Sequence, residues 1–177
     1  YTALDIALEG YQKLEKELRK PVLSVIDFSL PSTEKRLWII DLAEQKILLH
    51  TVVAHGRNSG ILMAEKFSNR PESNQSSLGF YKTAETYRGK HGYSLRLDGL
   101  EKGINDQARN RAIVIHGADY AREEVARMSG RLGRSLGCPA VPTELSDEVI
   151  DLIKEGSLLF IYAPDQTYLS QIPLLKP

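Results

Sequence analysis

RLWIIDLAEQKILLHTVVAHG, residues 36–56, is built of two β-rich runs on either side of Leu42-Ala43-Glu44-Gln45. Branched and aromatic side chains fill both runs, and these fit a pleated surface better than a helical turn. Polar turn material between two such runs predicts an antiparallel hairpin. The same character extends outward in both directions. VLSVIDFS (22–29) precedes it across LPSTEK (30–35), and LGFYKTAETYRG (78–89), YSLRLDGL (93–100), RAIVIHG (111–117) and SLLFIYA (157–163) follow.

Three segments read as helices. In Ala3 to Arg19, Leu4, Leu8, Tyr11, Leu14 and Leu18 recur at three- and four-residue spacing, KLEKELRK (13–20) supplies the wet face, and Pro21 stops the run. DYAREEVARM (119–128) is a short helix; TELSDEVIDLIKEG (143–156) is a clearer one, with Thr143 or Ser146 as N-cap and Gly156 at its end. The expected fold is mainly β with a few helices (α+β), a β-sandwich or mixed-sheet assembly. It forms one domain over residues 1–177, with the N-terminal helix (about 3–19) packed on it.

Composition narrows the function. Hydrophobic residues make up 42% and charged residues 26%, which is the balance of a soluble domain with a core. Lys plus Arg number 23 and Asp plus Glu number 23, so no net field draws the chain to nucleic acid or an anionic membrane. No apolar run reaches membrane-spanning length, since LWIID and SLLFIYA are strand-sized. The chain opens at Tyr1 without methionine, from which removal of an upstream segment is expected.

Chemistry concentrates in GRLGRSLGCPAV (130–141), which holds the single cysteine, Cys138. A lone thiol makes neither an internal disulfide nor a metal cage, so it is a small buried residue or a reactive group. The polar, glycine-rich context predicts an exposed loop. Gly137 clears the approach to the thiol, and the backbone N–H groups of Leu136, Gly137 and Cys138 can converge as an oxyanion hole. Arg131 and Arg134 are expected to favour the thiolate. A base is needed, and His116 is the best of four histidines: it ends AIVIHG at a strand tip, with Gly117 where the chain turns. His50 reads as a packed or edge-strand residue, and His55 in AHG mimics the His116 context without a nucleophile nearby. His91, in the loop GKHG (89–92), is placed to touch substrate. The long polar stretch 56–77 is expected to border or cover the cleft.

IVIHG (113–117) followed by GRSLGCPAV (133–141) resembles the catalytic signature of the L,D-transpeptidases (YkuD-type), HG then a spacer then S-x-G-C. The matching residues are His116, Gly117, Ser135, Gly137 and Cys138. Residues 76–120 resemble the murein L,D-transpeptidase catalytic-domain branch, and the similarity is strongest from about Asn58 to Pro142. The opening helix lies outside it. Commoner members continue the motif with an apolar residue and then arginine; here Pro139 and Ala140 stand there, and Arg131 or Arg134 would have to substitute.

The resemblance implies a bacterial envelope enzyme, periplasmic or extracytoplasmic, that uses no metal and no cofactor. Its partners would be donor and acceptor stem peptides of peptidoglycan, not nucleic acid, and it would act as a monomer. Cys138 would attack the carbonyl of an L-centre, His116 would take the thiol proton, D-alanine would leave, and an amine would resolve the thioester. Gly117 O or Ser135 would orient the imidazole, with Asp119 an alternative, and Ser135 could equally be a turn-former. Tyr120 and Arg134 would contact the stem. The same acyl-enzyme resolved by water gives an L,D-carboxypeptidase or muropeptide hydrolase. A non-catalytic peptidoglycan-binding module is the remaining reading.

Overall fold

A computed structural model describes residues 2–177. Eight strands form one mixed sheet: β1 (Val22–Asp27), β2 (Leu37–Asp41), β3 (Lys46–Thr51), β4 (Gly79–Gly89), β5 (Gly92–Gly99), β6 (Val114–Ala118), β7 (Ala140–Pro142) and β8 (Leu158–Tyr162), in the order β3-β2-β1-β8-β4-β5-β6-β7. The β2–β3 hairpin forms as its sequence predicts, with Trp38 opposite His50 and Asp41 opposite Lys46. The β1–β8 and β6–β7 pairs are parallel, and the others are antiparallel.

β1 and β8 are buried along their whole length, as expected of central strands covered on both faces. Phe80 and Phe160 stack across β4 and β8 at 4.4 Å between ring centres. The sheet curls until its edges meet. Ala54, just past β3, donates its N–H to Ala140 O of β7 at 2.8 Å, and Arg57 donates to Ser135 O at 2.8 Å. That near-closure carries residues 52–57 to the cysteine loop, some eighty positions later in the chain.

The helices are α1 (Thr2–Leu14), α2 (Glu123–Ser129), α3 (Ser146–Ile153) and α4 (Gln166–Leu169). The first is shorter than its periodicity suggests. A 3-10 turn occupies Glu15–Glu17, Leu18 is extended, and Arg19 N–H bonds Gly156 O at 2.9 Å, so the backbone is recruited to lead into β1. The face of α1 also differs: Ala3, Ala7 and Gly10 are buried, while Leu4, Leu8, Tyr11, Leu14 and Leu18 flank them half-buried. A methyl group at Gly10 would run into the Phe80 ring, so small residues set how closely helix and sheet approach. At α3 neither Thr143 nor Ser146 caps. Leu145 is the N-cap without a side-chain bond, because Thr143 Oγ1 donates to Asp119 and Ser146 Oγ donates back to Thr143 O. Among the described residues no helix is long and apolar enough to cross a membrane.

Arg36 is fully buried beneath the joined edges. It donates to Val53 O at 3.0 and 2.8 Å, to Leu30 O at 3.0 Å and to His55 Nδ1 at 2.8 Å, and it lies over the Phe28 ring. His55 donates from Nε2 to Gly60 O at 2.9 Å. This cluster roots the 56–77 segment.

Candidate active site

His116 is the third residue of β6, which continues through Gly117 to Ala118. The expectation of a strand tip is corrected. Gly117 is not a turn residue here, since a Cβ would come within 2.7 Å of Ser146 and glycine lets the start of α3 press against β6. His116 is buried and pairs with Ser94 of β5 on one side and Ala140 of β7 on the other. Its Nδ1 lies 2.9 Å from Gly117 O. A carbonyl only accepts, so Nδ1 carries the proton and Nε2 is left with its lone pair. Burial is the main cause that pushes the imidazole below its usual range, with the Gly117 carbonyl opposing and His91 and Lys90 adding to the fall.

Cys138 is half-buried and packs on the core, so the loop is less exposed than its composition suggests. Its Sγ accepts the Val114 N–H at 3.4 Å and donates to Ala112 O at 3.5 Å. Val114 begins β6, two residues before His116. Ala112 sits at φ 55°, a left-handed conformation that costs a non-glycine residue on the order of 1 kcal/mol. Burial raises the thiol above 9.0, opposed by the Val114 N–H and by the charges of Arg111 and Lys90. Lys90 acts on both groups, so thiol and imidazole lie within reach of one ammonium.

The arginine at the thiol is Arg111, which sequence reasoning missed. Its Nη1 donates to Ser68 O at 2.9 Å and Ser77 Oγ at 2.7 Å, and its Nη2 donates to Ser73 Oγ at 3.1 Å and Gln75 O at 2.7 Å. It therefore ties the far end of the 56–77 segment beside the cysteine loop. A Cβ at Gly137 would meet Gln75 O at 2.9 Å and Arg111 Nη2 at 3.2 Å. Gly137 also takes φ +125°, so both backbone and space call for glycine. Arg111 opens the β-rich run RAIVIHG, which marks a strand but not a charge for the site. Its only signal is an arginine shortly before the strand that carries the histidine.

Arg131 and Arg134 are placed elsewhere than expected. Arg134 Nη1 donates to Arg57 O at 2.9 Å and Gly60 O at 3.4 Å, and Arg131 Nη1 donates to Leu132 O at 2.9 Å. Their charges bear on buried His55, which desolvation first and the neighbouring arginines next push down to about 4. They do not lower the thiol. Arg134, with Arg57, Ser59, Ile61, Leu62 and Lys66, lines a cavity of about 400 Å³.

Ser135 turns to its own loop rather than to His116. Its Oγ donates to Cys138 O at 2.6 Å and accepts the Gly137 N–H at 3.1 Å. Gly137 N–H is therefore engaged by its own loop, which leaves Leu136 and Cys138 as the candidate oxyanion amides of the three. Asp119 is held by Thr143 and does not reach the imidazole. Tyr120 is half-buried against Gly133, and burial and the Cys138 charge push its hydroxyl up to about 12. His91 is exposed at the β4–β5 turn, yet its ring stacks on that of His116 at 4.1 Å and 10°. His50 stacks on Trp38 at 4.5 Å and plays no part at the site.

Solved structures with a similar course of chain include an L,D-transpeptidase from Mycobacterium smegmatis, at 12% identity and a TM-score of 0.49 over 81% of this chain and 59% of that one. A second, from Stackebrandtia nassauensis, has 15% identity and a TM-score of 0.48 over 88% and 65%. A third is Bd1075 of Bdellovibrio bacteriovorus, with 14% identity and a TM-score of 0.49 over 81% and 48%. The chain thus spans from about half to two thirds of the length of these three. No curated protein matches it. The sequence model of the L,D-transpeptidase catalytic domain matches residues 1–162, nearly the whole chain, and to that family this protein belongs.

Proposed function

We propose that this domain is a cysteine-dependent L,D-transpeptidase that acts on peptidoglycan stem peptides in the bacterial cell envelope. One observation carries the reading. The only thiol lies against the first residue of β6, and an imidazole with its Nδ1 proton committed to Gly117 O stands two residues along the same strand.

Burial keeps the thiol protonated and the imidazole neutral, so proton transfer belongs to the attacking step. Nε2 of His116 takes the proton as Sγ bonds to the carbonyl carbon of the donor's L-centre. The amides of Leu136 and Cys138 hold the oxyanion. As the tetrahedral carbon collapses, the imidazolium returns its proton to the leaving D-alanine nitrogen, and a thioester remains. An acceptor amine then attacks, gives a proton to Nε2 and expels the thiol, which regains it. Tyr120 borders this space. Arg134 faces the neighbouring cavity, where a stem carboxylate would find a guanidinium.

Intact-protein mass spectrometry after exposure to a carbapenem tests the nucleophile: an adduct on the parent protein and none on Cys138→Ala is expected. Purified tetrapeptide stems then divide the outcomes. Cross-linked dimers with release of D-alanine support transpeptidation, while shortened stems without dimers redirect the acyl-enzyme to hydrolysis. Neither an adduct nor turnover would overturn the proposal in favour of a non-catalytic module.

A further inference from the structure

His91 has no step in that mechanism, yet its placement is specific. It shares with Lys90 the two-residue turn of the β4–β5 hairpin, between Gly89 and Gly92, which face each other in register. Gly92 takes φ +78°, which brings the chain back on itself. The tip outruns the sheet: β8 pairs with β4 only over Gly79–Lys82, and β6 pairs with β5 only over Ser94–Arg96. Residues 88–92 are exposed. An exposed turn side chain loses rotamer freedom when it is ordered. The His91 ring nevertheless lies flat on His116, 4.1 Å away with the planes 10° apart.

Two consequences follow from that contact. Rotation of the His116 ring about its Cβ–Cγ bond would take Nδ1 off Gly117 O and drive an edge into the His91 face. Two imidazolium rings at this distance also repel, so a charge on one opposes a second on the other. The other groups around His116 are few. The turn adds the Lys90 ammonium, which acts on His116 and on the thiol alike, while Arg111 from the segment before β6 acts on the thiol. Asp119 and Tyr120 follow β6, with Asp119 bonded to Thr143. On α3, Asp147, Glu148 and Asp151 are exposed, and Asp151 accepts from Tyr93 at 2.7 Å.

We propose that His91 is a positioning residue for His116: its ring, stacked flat on the imidazole, holds Nδ1 on Gly117 O. The inference rests on His116 as the base of the proposed reaction, but its structural content is visible in the resting protein.

The test compares His91→Ala, which removes ring and charge, with His91→Phe, which keeps a flat ring without charge. Imidazole ¹⁵N and ¹³C resonances of His116, followed from pH 4 to 9 without substrate, report tautomer and titration. Carbapenem acylation of Cys138, followed by intact mass, reports rate. In His91→Ala the Nε2–H tautomer of His116 should appear beside the Nδ1–H form, and acylation should slow about tenfold with an unchanged melting temperature. His91→Phe should recover most of that rate and keep the Nδ1–H tautomer. In both variants the His116 titration should move to higher pH, because a like charge has been removed.

A His91→Ala protein whose His116 tautomer and titration match the parent would overturn the proposal, whatever its rate. If the parent is never acylated, the reading of the site as a transpeptidase fails, and the resonances still decide whether His91 orders His116.

Discussion

His116 and Ala140 stand opposite each other in the parallel pair of β6 and β7, and Cys138 enters the site two residues before that match. Three residues of β7 are enough to fix the register because both sides are buried, and a slip of one position would turn every side chain to the other face. Insertion of one glycine between Pro139 and Ala140 should therefore move the thiol by roughly 3.3 Å relative to the imidazole. Carbapenem acylation should fall at least a hundredfold, while the far-ultraviolet circular dichroism spectrum stays that of the parent. Parent-like acylation of the insertion protein would show that the register does not set the site.

The ionisation of the pair sets a pH profile. Burial holds His116 below the usual imidazole range, so acylation should keep its rate into more acid solution than an ordinary histidine would allow. The thiol is raised above 9.0, so in His116→Ala the alkylation of Cys138 by iodoacetamide should climb only above pH 9. At pH 7 the same variant should be acylated about a hundredfold more slowly, the usual worth of general acid–base help. Adding Cys138→Ala should cost no more than that change alone, because the two act as a unit.

Ser135→Ala separates a loop brace from a nucleophile. It strips the Cys138 carbonyl and the Gly137 N–H of a shared partner, at a stability cost of about 1–2 kcal/mol. Acylation should slow about tenfold as the loop amides lose their alignment, and the adduct should still form on Cys138. A complete loss of acylation with the fold intact would contradict the brace.

Arg111 joins charge to scaffolding. Arg111→Lys keeps a cation but cannot reproduce four bonds to Ser68, Ser73, Gln75 and Ser77, so it should lower stability by about 2 kcal/mol. Arg111→Met removes the charge as well, and the Cys138 thiol should titrate higher still, read from thiolate absorbance at 240 nm. Equal thiol titration in the two variants would assign Arg111 to the loop alone.

Stability should fall in acid through His55. Its folded-state value is about 4 against 6.5 when unfolded, so between these the unfolded chain binds more protons. The contribution is complete above pH 6.5 and is lost as pH drops towards 4, by at most about 3 kcal/mol at about 1.4 per pH unit. Urea unfolding at pH 7, 6, 5 and 4.5 should show this slope. His55→Gln, which keeps an acceptor for Arg36, should flatten it.

The sequence alone determined whatever depends on neighbours along the chain. Alternating branched residues around Leu42–Gln45 specified a hairpin, apolar runs marked β1 and β8 as strands, and His-Gly with Ser-x-Gly-Cys marked the two segments that carry the chemistry. These signals are local because side-chain period and turn preference are properties of a few consecutive residues. Tertiary structure decided which charges meet. Four residues from the cysteine, Arg134 turns away to Arg57 O, while Arg111 arrives from 27 positions upstream. Three-residue β7 gave no pattern to read, and it exists because β6 offers an unpaired edge. The α1 helix hides Ala3, Ala7 and Gly10 rather than its leucines, and at Gly10 the Phe80 ring leaves no room for a side chain. At the site the physical reason is the curl of the sheet. Joining residues 54–57 to 135–140 fixes neighbours that no spacing along the chain encodes.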